Sequence, residues 1–161
     1  MTRLILMRHA KSDWSAFQDD HARGLNKRGR KSAVAMGDWL RTRGYLPDAI
    51  LCSTATRTRE TLDGLTLGAP VTFLDSLYHA APDTMLDDLR GATGDTVLMI
   101  GHNPGISALA KALVRQPPDH ARFADYPTCA TLVVDFDSPW PDIRLATGEV
   151  QDFAVPREVI G

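Results

Sequence analysis

Apolar and polar positions alternate in blocks along the chain, and the blocks change period. Leu4-Ile5-Leu6-Met7 is a short unbroken apolar run, the pattern of a strand buried on both faces. From Lys31 to Arg43, Ala33, Met36, Gly37 and Leu40 recur on one face of a helix. Ala49-Ile50-Leu51-Cys52 reads as a second strand. Ala55 to Leu65 reads as a helix, with Ser53 or Thr54 as its cap. Val71-Thr72-Phe73-Leu74 predicts a third strand, Pro82 to Leu89 a short helix, and Thr96 to Ile100 a fourth strand. Asn103 followed by Pro104 reads as a cap and a first helical residue, opening a helix that runs to about Val114. Thr131 to Phe136 and Ile143 to Val150 read as late strands. A long polar loop spans Ser12 to Gly29, and another irregular stretch runs from Gln116 to Pro127. Strands alternating with helices predict an α/β fold: a single domain over residues 1–161, with a largely parallel central sheet flanked by helices on both faces.

Composition narrows the function without supplying it. Apolar residues make up 43% of the chain and charged residues 24%, with a net charge of −2, which suits an ordinary globular protein. That balance offers no basic excess for a nucleic-acid backbone and no polybasic tail for a membrane, so neither partner is expected. No segment approaches the roughly 20 apolar residues needed to span a bilayer. The run at Leu4 to Met7 stops at Arg8-His9 and is too short for a signal-peptide core, so the expected compartment is the cytoplasm. Cys52 and Cys129 are too few for a disulfide framework and lack zinc-like spacing; two reduced core cysteines are expected. Function therefore has to come from a local site.

Three predicted strands end in residues that carry chemistry. Met7 is followed by Arg8-His9, Cys52 by Ser53-Thr54-Ala55-Thr56-Arg57, and Ile100 by Gly101-His102-Asn103. Sites in open α/β sheets form outside the carboxyl ends of the strands, so two histidines and two arginines are expected in one cleft. That set suits phosphoryl transfer. Arg8 and Arg57 offer forked, permanently charged donors to non-bridging oxygens. A helix starting near Pro104 would add its positive dipole end. A neutral imidazole is a competent nucleophile toward phosphorus. The two arginines should disfavour the imidazolium of His9 and lower its pKa, and its other ring nitrogen needs an acceptor, such as a backbone carbonyl, to fix the tautomer.

Leu6-Met7-Arg8-His9-Ala10-Lys11-Ser12 resembles the Arg-His-Gly signature of the histidine phosphatase superfamily, the phosphoglycerate-mutase-like enzymes. Ser53-Thr54-Ala55-Thr56-Arg57-Thr58-Arg59-Glu60-Thr61 resembles its second motif, Ser-x-x-x-Arg-x-x-x-Thr, and Gly101-His102-Asn103-Pro104-Gly105 its third. The order is right and covers nearly the whole chain. The short length and the segment Arg23-Gly24-Leu25-Asn26-Lys27-Arg28-Gly29 look most like the SixA-type phosphohistidine phosphatases. The resemblance implies a phosphoglycerate-mutase-like fold, no metal, no cofactor, and a two-step phosphatase. His9 would be the phosphorylated nucleophile. Arg8 and Arg57 would hold the phosphoryl oxygens, and His102 would donate to one of them. Arg23 matches an arginine that approaches the phosphate in the SixA-like branch, and Ser12 would line the pocket. The implied partner is a phosphohistidine protein or a small phosphorylated substrate, and a monomer is the default.

Two departures from the pattern matter. Ala10 stands where the superfamily has glycine. The region after the third strand, Asp75-Ser76-Leu77-Tyr78-His79-Ala80-Ala81-Pro82-Asp83, lacks the usual acidic motif that protonates a leaving oxygen. General-acid help is worth roughly 10²- to 10⁴-fold, so alkoxide leaving groups should be poor and a labile P–N bond favoured. Asp75, Asp83 and His79 stay open as proton donors. A small-metabolite phosphomonoesterase of the same superfamily and a non-catalytic phosphate-binding module are the rival readings. Cys52 to Arg57 has four intervening residues where a cysteine-phosphatase loop needs five, and Thr58 occupies the matching position. His21, His79 and His120 lack metal-ligand spacing. Lys27, Arg28, Arg30 and Lys31 read as a solvated helix start that could also attract an acidic partner. Trp14 and Phe17 could grip substrate or pin the long loop.

Overall fold

The computed structural model describes residues 2–160. Six strands, β1 (Thr2–Arg8), β2 (Ala49–Ser53), β3 (Val71–Leu74), β4 (Thr96–Gly101), β5 (Thr131–Phe136) and β6 (Glu149–Ala154), form one sheet in the order β3-β2-β4-β1-β5-β6. β3, β2, β4 and β1 are mutually parallel, whereas β5 runs antiparallel to β1 and β6 antiparallel to β5. The sheet is mixed and mostly parallel. The helices are α1 (Lys27–Arg43), α2 (Thr56–Leu65), α3 (Pro82–Arg90), α4 (Gly105–Leu113) and α5 (Pro156–Ile160). Among the described residues, no helix is long and apolar enough to cross a membrane.

Strand alternation splits the core into two layers. Leu4, Leu6, Val97, Met99, Leu132 and Val134 face one side and pack on Met85 and Leu89 of α3 and Ile106 and Leu109 of α4. Ile5, Met7, Leu98, Ile100 and Val133 face the other, against Met36 and Leu40 of α1 and Leu62 and Leu65 of α2. This explains why the strand at Leu4 to Met7 is apolar at every position: each face is covered by helices. Cys52 and Cys129 are both buried and unpaired, and burial pushes each thiol up to about 12.

Several boundaries differ from the sequence reading. α1 begins at Lys27 rather than Lys31, capped by the Asn26 side chain, which accepts from the Gly29 amide at 2.8 Å. Its first turn carries Lys27, Arg28 and Arg30 and no acid, opposite to the preference of the helix dipole, so its start is disguised. Gly44 closes it in the left-handed region at φ 75°. α2 has Ala55 at its cap position; Thr54 bonds Asp75 and Ser53 bonds His102. α4 begins at Gly105, not Pro104, because a turn at Asn103-Pro104, joined by a cis peptide bond, lies between strand and helix. Asn103 still contributes a side-chain acceptor to the Ser107 amide at 3.2 Å. The last strand is Glu149–Ala154, not Ile143 to Val150. Ile143 is buried after a 3-10 turn at Trp140–Asp142, and Ala146, at φ 59°, breaks the extended path before Val150.

Candidate active site

β2, β4 and β1 are neighbours and parallel, so the residues that follow them emerge along one sheet edge. There a cavity of about 370 Å³ is lined by Arg8, His9, Ser12, Arg23, Arg57 and His102. These are all six residues singled out from the sequence. Lys11, Trp14, Asp20, His79, Asn103 and Thr128 complete its wall.

His9 is buried, and backbone bonds fix its place: its amide donates to Gly101 O at 3.0 Å and its carbonyl accepts from the Cys129 amide at 2.9 Å. Nδ1 lies 2.7 Å from Ala10 O. Since a carbonyl only accepts, Nδ1 carries the proton and the Nε2 lone pair is free. Burial pushes the imidazole down to about 3, and Arg8, Arg57 and Arg23 add to the effect. The direction matches the one expected from the arginines, but desolvation is the larger cause. The Ala10 amide donates to Thr61 Oγ1 at 2.9 Å, and that hydroxyl donates to Arg57 O at 2.7 Å. The threonine at position 61 thus ties the loop after His9 to the helix that carries Arg57.

His102 is held by Ser53, whose Oγ lies 2.8 Å from Nε2. That Oγ also takes the Ala55 amide at 3.3 Å. When the hydroxyl donates to Nε2, the His102 proton sits on Nδ1; in the other tautomer Nε2 donates to Oγ. Burial pushes this imidazole to about 3 as well, with His9 and Arg57 contributing. The two rings stand 5.3 Å apart between centroids. Four buried side-chain nitrogens among the described residues lack a hydrogen-bond partner: Arg8 Nε, Arg23 Nε, Arg57 Nε and His102 Nδ1. All four belong to residues of this cavity.

Asp20 is a site residue that the sequence reading did not single out. It sits in the long polar loop, and its Oδ1 lies 2.9 Å from Arg23. Oδ2 takes Arg57 at 3.2 Å, His79 Nε2 at 3.2 Å and the Tyr78 hydroxyl. The Tyr78 hydrogen bond, then the two arginines, hold this carboxyl well below the usual carboxylate range. The available signal was an acidic residue three positions before Arg23, which is weak. Arg23 is buried rather than solvated, and its guanidinium stacks 3.6 Å from the centroid of the exposed Trp14 ring. Phe17 is fully exposed. Asp75 and Asp83 are exposed and do not line the cavity; His79 does, with its side chain 55% exposed at the mouth.

Residues 4–81 match the family pattern described as the histidine phosphatase superfamily (branch 1). The uncharacterized protein Rv1276c of Mycobacterium tuberculosis is 37% identical over 158 residues, which span 94% of this chain and all of the relative. A solved structure from Nakamurella multipartitia, assigned as a phosphohistidine phosphatase SixA, is 33% identical with a TM-score of 0.83, covering 96% of each chain. One from Agrobacterium tumefaciens, assigned in the same way, is 32% identical with a TM-score of 0.81, covering 96% of this chain and 99% of that one. These relatives extend past residue 81 and so span the His102 segment too.

Proposed function

The chain belongs to the histidine phosphatase superfamily, and from that premise we propose that it is a metal-independent phosphatase acting on protein phosphohistidine through a covalent phosphohistidine on His9. The observation that carries this reading is the set of four unpartnered buried nitrogens, three of them guanidinium donors, all on residues lining the same cavity as His9. Buried donors require acceptors, and a phosphoryl group brings several anionic oxygens at once.

In the first step His9 Nε2 attacks phosphorus in line. The P–Nε2 bond forms as the bond from phosphorus to the substrate nitrogen breaks; the departing ring, already protonated on its other nitrogen, keeps that electron pair and leaves as neutral imidazole, while His9 keeps its Nδ1 proton. In the second step water attacks phosphorus, the P–Nε2 bond breaks, inorganic phosphate leaves and the imidazole is restored. Arg8, Arg57 and Arg23 balance the developing charge, and His102, in the tautomer in which Ser53 donates to Nε2, donates from Nδ1. Ser12 lines the pocket wall. A nitrogen leaving group fits the acid inventory. Asp20 is the one carboxylate lining the cavity among the described residues, and its donors keep it ionised at neutral pH. A small-metabolite monoesterase would need a carboxylic acid in reach, and Asp75 and Asp83 do not line this cavity. The same reading makes residues 1–161 one catalytic domain, a monomer, working in a reducing compartment such as the cytoplasm; two buried free thiols accord with that setting.

The test is turnover of a phosphohistidine protein in excess chelator, with acid-labile ³²P trapped on the enzyme. Wild type should form and lose the label, and His9→Ala should do neither. Full activity in His9→Ala, or activity lost to chelator, would overturn the proposal.

A further inference from the structure

A second cavity, of about 420 Å³, adjoins the first and shares Arg8, Lys11 and Thr128 with it. Its charged wall consists of Arg8, Lys11, Arg28, Arg122, Arg157 and Asp125. Arg122 and Asp125 pair with each other at 3.0 Å, which neutralises both. Arg8, Lys11, Arg28 and Arg157 have no acidic partner within salt-bridge distance among the described residues. Four positive charges without a salt-bridge partner thus gather beside the site, Arg8 alone feeling the more distant Asp125, in a chain whose net charge is −2.

Like charges gathered on one concave wall repel each other and focus a positive potential into it. Arg28 adds a local cost, since it lies in the first turn of α1, where the helix dipole disfavours cations. The four come from separate places: the end of β1, the loop after it, the start of α1 and α5. Tertiary structure assembles them, so they are not one basic run in sequence. Lys11, Arg28 and Arg157 are exposed, within reach of groups on another protein's surface. Arg8 borders both cavities, so an anion here would lie next to the phosphoryl group.

We propose that this cavity is a second anion subsite, which takes acidic side chains flanking the phosphohistidine of a protein substrate. This deepens the proposed function and rests on it. The subsite would select phosphohistidines set among Asp or Glu, and it would not change the chemical step.

The test uses two phosphohistidine peptides that differ only in carrying Glu or Gln on both sides of the phosphohistidine. At about two- to fivefold per exposed ion pair, several contacts should favour the Glu peptide about tenfold in kcat/KM at low salt. That ratio should fall toward one in high salt, and in the double variant Arg28→Gln/Arg157→Gln at low salt. A ratio near one in wild type at low salt, or one unmoved in the double variant, would overturn the subsite. If neither peptide turns over while p-nitrophenyl phosphate does, the phosphohistidine reading fails separately. The subsite is then judged by inhibition of p-nitrophenyl phosphate hydrolysis by the two unphosphorylated peptides. Stronger inhibition by the Glu peptide, lost in the double variant, supports it, and equal inhibition overturns it.

Discussion

Acidification should destabilise this protein well before its carboxylates titrate, because the two site imidazoles are buried neutral. An unfolded histidine titrates near 6.5, whereas His9 and His102 in the fold are each pushed to about 3. Between those values the unfolded chain binds the protons and the native chain does not. Stability therefore rises with pH through that window and is lost as pH falls below 6.5. Each such group contributes a slope of up to about 1.4 kcal/mol per pH unit. Going from pH 7 to pH 5, less than halfway through the window, costs ~2 kcal/mol per imidazole and ~4 kcal/mol for both. That is a large part of the 5–15 kcal/mol that typically holds a domain together. Asp20 and Glu158 have lowered pKa values, so their losses come at lower pH and do not blur this range. The assay is urea denaturation followed by far-UV circular dichroism at pH 7 and pH 5, on wild type, His9→Gln and His102→Gln. Each substitution should remove about half of the pH-dependent loss. A wild-type loss below about 1 kcal/mol, or three proteins with parallel pH dependence, would refute the assignment of buried neutral rings.

Asp20→Asn removes a negative charge bonded to Arg23 and Arg57, so inorganic phosphate should inhibit about tenfold more tightly; unchanged or weaker product inhibition would contradict this. Gly29→Ala would drive a Cβ into the backbone of Lys11 and should cost about 1–3 kcal/mol, read as a lowered melting temperature. Tyr126→Phe deletes the buried hydroxyl that donates to Leu6 O at 2.5 Å and should cost about 1–2 kcal/mol in denaturant.

The sequence by itself determined the α/β class, most of the strands and the three strand-end segments that reach the site. Leu4 to Met7 and Thr96 to Ile100 are apolar at nearly every position because both faces of the sheet are covered, and that pattern is local. Parallel strands then oblige Arg8, His9, Arg57 and His102 to emerge on one edge, whatever the loops do. Only the tertiary structure decided where Asp20 goes. Its partners Arg57, Tyr78 and His79 lie 37, 58 and 59 residues away, and its own loop has no periodic pattern to read. The basic cavity is equally invisible along the chain, since it joins Lys11 and Arg28 to Arg157 across the molecule. Hydrophobic periodicity records which face of an element is buried. It carries no record of which distant charges meet, because that depends on loop paths and on the sum of many weak contacts that only the closed fold provides.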